Sequence, residues 1–110
     1  MKSFEYLDAS QSYAMSVAIQ PHREALWAAA FGVETLDGLF DMTPADQAIP
    51  VIAAAIAKFN DDPESLRPLL SPGDYIGLRG NRGILVDLRK KMLRMGGTIS
   101  GAVDESPVPE

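Results

Sequence analysis

The segment from Gly77 to Gly83, Gly-Leu-Arg-Gly-Asn-Arg-Gly, holds the residue types best suited to bind an anion in this chain. Glycines let backbone N–H groups approach a ligand closely, and Arg79 and Arg82 supply forked guanidinium donors. The segment leads into a predicted helix, whose N-terminus attracts negative charge. It lacks the Gly-Lys-Ser/Thr ending of a P-loop. Two readings stay open, a phosphate-binding turn or a turn whose arginines pair with acids of the same chain.

Further cations follow along the predicted helix. The complete set of candidate partner- or phosphate-binding residues is Arg79, Arg82, Arg89, Lys90, Lys91 and Arg94. Helical spacing puts Arg82 and Arg89 on one side of the helix, and Lys90, Arg94 and to a lesser degree Lys91 on another.

Residues that could carry catalysis or hold a metal are few. His22 is the one histidine and there is no cysteine, so a zinc site or a histidine-based catalytic site lacks ligands. The acidic pair Asp61-Asp62 precedes Pro63 at a helix start, where capping explains it. We therefore predict no catalytic residues, no metal, no cofactor and no enzymatic activity.

Charge is distributed unevenly along the chain. Residues 1–66 hold 3 basic and 10 acidic side chains, whereas residues 67–96 hold 7 basic and 2 acidic ones, within a net charge of -5. Such asymmetry indicates either a partner surface or internal pairing of the two parts. The absence of cysteine and of a secretory signal predicts a cytoplasmic protein. The longest apolar run, residues 48–57, is too short to cross a bilayer, so we predict no membrane partner.

Proline and glycine divide the chain into segments with helical spacing of apolar residues. The predicted helices begin at residue 8 or 10 and end at Ile19, run from Pro21 to Gly32, start at Thr43-Pro44 and extend to Phe59, span 63–66, and run from a cap at Asn81 to Met95. Residues 33–40 are predicted to be a short helix or turn, and residues 74–78 a short extended piece.

The predicted fold is therefore all-α, a single-domain bundle of about four to six short helices over residues 1–96. Residues 97–110 are small, polar, acidic and proline-containing, which predicts a flexible tail.

The leading functional hypothesis is a non-enzymatic interaction or assembly protein, a small helical adaptor or regulator of the kind found among phage and plasmid accessory proteins. Its partner would be an acidic protein surface or a second copy of itself, engaged through the basic C-terminal helix. The alternative is a nucleic-acid-associated regulator that contacts backbone phosphates, which the overall acidity disfavours.

Overall fold

A four-stranded antiparallel sheet and four α-helices make up the fold of this protein. The structure is a computed structural model that describes residues 1–104. In chain order the elements are β1 (Lys2–Leu7), β2 (Tyr13–Ile19), α1 (Glu24–Phe31), β3 (Phe40–Pro44), α2 (Ala45–Asp61), α3 (Pro63–Leu66), α4 (Gly77–Met95) and β4 (Thr98–Asp104). Short 3-10 turns precede α1 and follow α3. The fold is α/β, so the prediction of an all-α helical bundle is wrong.

The strands lie in the order β2-β1-β4-β3. Strand β1 lies between β2 and β4. Its Phe4 is paired with Val17 of β2 and Gly101 of β4, and its Tyr6 is paired with Met15 of β2 and Ile99 of β4. Because successive side chains of a strand point to opposite faces, Phe4 and Tyr6 share the face that packs on the helices. Both are fully buried.

The first predicted helix, ending at Ile19, is the strand β2. The spacing of Ala14, Val17 and Ala18 fits a helical face, yet Ala18 is exposed, whereas Val17 and Ile19 are buried. Burial at alternate positions is the pattern of a strand with one face in the core. Pairing with β1 stabilises this conformation, and that contact lies outside any local helical pattern.

The predicted tail began at Gly97, but Thr98–Asp104 form β4, an interior strand between β1 and β3. Its small side chains hide the strand pattern, and its burial depends on neighbours distant in sequence: Ile99 and Ala102 are 0% and 2% exposed. The remainder of the predicted tail, 105–110, lies outside the described residues.

The helices were predicted more accurately. α1 ends before Gly32, which has a φ of +73°, and α3 begins at Pro63 as expected. α2 begins at Ala45 and includes Pro50 in its interior. Residues 33–39 hold turns and bends, and residues 74–76 form a turn in place of the expected extended piece.

One hydrophobic core joins the sheet and the helices into two layers. Its aromatic centre is Phe4, which stacks on Trp27 of α1 at a ring-centroid distance of 6.3 Å and contacts the edges of Phe31 and Phe40 at 6.1 and 5.4 Å. α4 packs against α2 on this core.

The end of α4 is fixed at a junction of three elements. The Met95 carbonyl accepts a hydrogen bond from the Ala9 N–H at 3.1 Å, and the Gly96 carbonyl accepts one from the Tyr6 hydroxyl. Gly97, with a φ of +95°, accepts a hydrogen bond from Ala45, the first residue of α2, at 2.8 Å. Strand β1, the β1–β2 loop and α2 thus hold the C-terminus of α4 in place.

Candidate binding surface on helix α4

The apolar side of α4 is embedded in the core and leaves its cations on the outer sides. Leu85, Leu88 and Met92 are at most 1% exposed, as the predicted apolar face requires. The predicted helix type and its end at Met95 are confirmed. The helix begins at Gly77, and its N-cap is Ile76, five residues before the predicted cap Asn81.

Asn81 lies inside α4 and is fully buried. Its side-chain oxygen accepts a hydrogen bond from the Trp27 indole N–H at 2.8 Å, and its amide nitrogen donates to the Gly77 carbonyl at 2.8 Å and to Asp74 at 3.2 Å. A buried polar group is tolerated when its hydrogen bonds are made. Asn81 therefore fixes the rotation of α4 relative to α1.

Asp74 forms the second half of this buried network. Its carboxylate accepts hydrogen bonds from Arg23 Nε at 3.0 Å and Nη2 at 3.1 Å, and its side chain is 1% exposed. The Arg23 guanidinium holds the pKa of the Asp74 carboxyl below its ordinary value, burial opposes this shift, and the Asn81 hydrogen bond adds to it. His22 Nε2 lies 3.8 Å from the same carboxylate. The network ties the start of α1 to the turn that precedes α4.

We expect this network to weaken in acid. Because the folded-state pKa of Asp74 is below its unfolded value, the stabilisation is complete above about pH 4 and is lost as the pH falls through the folded-state pKa. Urea unfolding at about pH 7 and about pH 3 should give a larger drop in unfolding free energy for the wild type than for Asp74→Asn. Equal drops in the two proteins would contradict this assignment.

The glycine-rich segment 77–83 is helical and does not form a loop. All seven residues lie in the first turns of α4. A β-carbon on Gly80 would lie 2.9 Å from Ile76 Cγ1, so that glycine permits close packing within the chain. The Gly80 N–H is used in a hydrogen bond to the Ile76 carbonyl. The interpretation of this segment as a phosphate-binding turn stays a prediction.

The predicted cations fall into separate groups along α4. Arg79 and Arg82 line a cleft of about 480 Å³ together with Arg67, at the place where α4 approaches the end of α2. Arg82 also donates a hydrogen bond to the Asn60 side-chain oxygen at 2.7 Å. Arg89 lines a smaller groove of about 230 Å³ between α4 and α2, whose walls include Ile56.

Lys90, Lys91 and Arg94 are brought together on the other side of α4. They line a cleft of about 390 Å³ with Asp87 and with Met15 of β2. We call these three cations the basic cluster. Leu93, which is 56% exposed, lies on the same helix beside them.

The ion pairs divide the basic residues into two sets. All four cations outside α4 are paired with acids: Lys2 with Glu24 and Asp37, Arg23 with Asp74, Lys58 with Asp62, and Arg67 with Glu64. Among the side chains of residues 1–103, which the structure describes, no ion pair involves any of the six cations on α4. Among the described side chains, Arg79 and Arg82 therefore do not form the expected ion pairs with acids of the N-terminal part.

Met15 and Arg67 contribute to these clefts but were not predicted to do so. Arg67 is the first cation of the basic region, and this charge signal was visible in the sequence. Met15 carried no such signal, because its place beside α4 depends on β2 being a strand of the sheet.

No family model, curated protein or solved structure matches this chain. Among the described residues, no group of three or more histidine, cysteine or acidic side chains could hold a metal ion. Over the same part of the chain, every helix is too short or too polar to span a membrane.

Proposed function

We propose that this protein is a non-enzymatic binding module that engages an acidic segment of a protein partner through α4. The observation that carries the proposal is the contrast between the four paired cations elsewhere and the six cations of α4, which form no ion pair with the side chains described for residues 1–103. Cations that form no internal ion pair keep their charge available for complementary contacts with a partner.

The composition of the surface favours a protein segment over a nucleic acid. The exposed Leu93 lies among the cations, and mixed apolar and arginine-containing surfaces are typical of protein interfaces. A net charge of -5 also opposes association with nucleic acid over the rest of the surface.

The chemistry of the buried network supports a non-enzymatic role. An ionised carboxylate has about four lone-pair sites for hydrogen bonds. Asp74 uses them for two bonds from Arg23, one from Asn81 and a long one of 3.4 Å from the Ile76 N–H. That leaves it no free acceptor for proton transfer, and its role is to hold α4. The cytoplasmic location stays a prediction from the cysteine-free composition.

The proposal is tested with a fluorescein-labelled heptaglutamate peptide as the probe. Replacing the basic cluster in the variant Lys90→Gln/Lys91→Gln/Arg94→Gln should weaken peptide binding about tenfold, as expected for three exposed ion pairs of about 0.5 kcal/mol each. Fluorescence anisotropy at low ionic strength measures the dissociation constants of both proteins. Raising the salt concentration should weaken binding to the wild type more than to the variant.

The matched control is Lys2→Gln/Lys58→Gln, which is compared with Lys90→Gln/Lys91→Gln because each double variant removes two positive charges. We expect this control to keep most of the affinity. Equal weakening in both double variants would mean that net charge alone governs binding, and it would overturn the proposal. Preferential binding of a DNA duplex of matched charge would replace the proposal by the nucleic-acid alternative.

A further inference from the structure

Strand β2 leaves one side of its backbone open. It is an edge strand, and among residues 1–104 it pairs only with β1. It spans seven residues, Tyr-Ala-Met-Ser-Val-Ala-Ile, without a charge or a proline. Tyr13, Ser16 and Ala18 are exposed. An edge of this length and composition presents unpaired N–H and C=O groups that can receive another strand.

The opposite edge of the sheet is protected in a way that β2 is not. β3 is only five residues long and ends in Pro44, and its register with β4 shifts between Phe40 and Thr43. Met42 within it has a φ of +48°, a left-handed conformation that interrupts an extended strand. Short length, proline and irregularity are the features by which proteins block strand addition at an edge. The sheet is therefore open to a further strand on the β2 side.

The basic cluster lies directly beside this open edge. Met15 of β2 shares one cleft with Lys90, Lys91 and Arg94. Lys90 and Arg94 are exposed, and Lys91 is half-buried. A strand added next to β2 would present every second side chain to the helix layer, where the cations of α4 lie. Carboxylates at those alternate positions would complement the cluster.

We infer that the acidic segment of the partner binds in an extended conformation as an additional strand on β2, with alternate acidic side chains on Lys90, Lys91 and Arg94. This inference rests on the proposed function and adds the conformation and sequence pattern of the ligand. Backbone hydrogen bonds to β2 supply affinity, and the cations select acidic residues at alternate positions.

A second copy of this chain fits the edge less well. Pairing β2 with β2 of another molecule across a two-fold axis would bring two basic clusters to the same region of the joined sheets. Like charges placed together oppose association. The edge strand itself carries no acid that could offset this repulsion.

The test uses the wild-type protein and two peptides of equal charge and the length of β2, seven residues. Both alternate glutamate and valine, and one of them carries a methyl group on every backbone nitrogen. Methylation removes the N–H donors and keeps the carboxylates and the apolar side chains. We expect the unmodified peptide to bind about tenfold more tightly and to slow hydrogen exchange of β2 amides about tenfold or more. The methylated peptide should give no such protection.

The possible results separate the two proposals. Equal affinity of both peptides without protection of β2 would overturn strand addition, while weakening of both by the basic-cluster variant would still support the proposed function. Failure of both peptides to bind would overturn the proposed function and this inference together. Slow hydrogen exchange of β2 amides in the free protein, together with the mass of a dimer in light scattering, would assign the edge to a second copy. That result would overturn the proposal that an acidic peptide occupies it.

Discussion

Replacing Asp74 by alanine is expected to lower the free energy of unfolding by about 3–5 kcal/mol, because it removes one partner of a buried ion pair. Arg23, whose side chain is 13% exposed, would lose both of its hydrogen bonds to the carboxylate. The Asn81 amide would lose one of its acceptors inside the protein. Both α1 and the start of α4 would then be held less firmly.

Urea unfolding followed by the fluorescence of Trp27, the single tryptophan, measures this loss. Asp87→Ala is the matched control, since Asp87 is an exposed acid on α4 that forms no ion pair within the described part of the chain. Its effect should stay within about 0.5 kcal/mol. A loss smaller than about 1 kcal/mol for Asp74→Ala would show that the network does not anchor α4.

Gly97→Ala is expected to destabilise the fold by about 3 kcal/mol or more, because two independent costs coincide at this residue. Its φ of +95° is a conformation that residues with a β-carbon rarely adopt. A β-carbon there would lie 2.8 Å from the Asp8 Cα and would overlap the Leu7 carbonyl oxygen. The clash is with backbone, so a change of side-chain rotamer cannot relieve it.

Gly83→Ala is the same kind of substitution, but we expect it to stabilise the fold. Gly83 lies inside α4, and nothing lies within 4 Å of the position of an added β-carbon. Alanine is the better helix former by about 0.5–1 kcal/mol, so the midpoint of thermal unfolding should rise. Thermal unfolding followed by circular dichroism gives the midpoints of both variants and of the wild type. Similar destabilisation by the two substitutions would contradict the geometry assigned to the α4–β4 junction.

The sequence was sufficient to predict α2 and α4 because their signals are local. Ile52 and Phe59 of α2, and Leu85, Leu88 and Met92 of α4, follow helical spacing and are buried as that spacing requires. Proline and glycine mark the start of α3 and the ends of α1 and α4. Such signals involve residues within a few positions of one another, and a single sequence contains them in full.

The strands could not be recognised in the same way because their stabilisation is non-local. β4 pairs with β1, and the paired residues are more than ninety positions apart in the sequence, as in the pair Lys2 and Asp104. The prediction that Asn81 caps the last helix is wrong for a related reason. Its residue type favours a helix cap, yet its hydrogen-bond partner Trp27 is 54 residues away and draws it into the core.

The six cations were identified from composition, but their availability for binding could not be predicted. Whether a cation is paired depends on which acids the fold places beside it. Glu24 and Asp62, two acids of the N-terminal part, are in ion pairs with Lys2 and Lys58. The position of the basic cluster beside β2 depends on the sheet, which local sequence patterns do not predict.

The four lysines of the chain allow a direct test, within one molecule, of the proposal that the basic cluster binds an acidic segment. Lys90 and Lys91 belong to the basic cluster, whereas Lys2 and Lys58 are in ion pairs with acids of the same chain. Lysine side-chain NMR signals of the wild type, recorded during titration with heptaglutamate, report on all four at once. We expect the signals of Lys90 and Lys91 to shift and saturate together while those of Lys2 and Lys58 stay nearly unchanged. Equal shifts of all four lysines, or shifts confined to Lys2 and Lys58, would contradict the proposal.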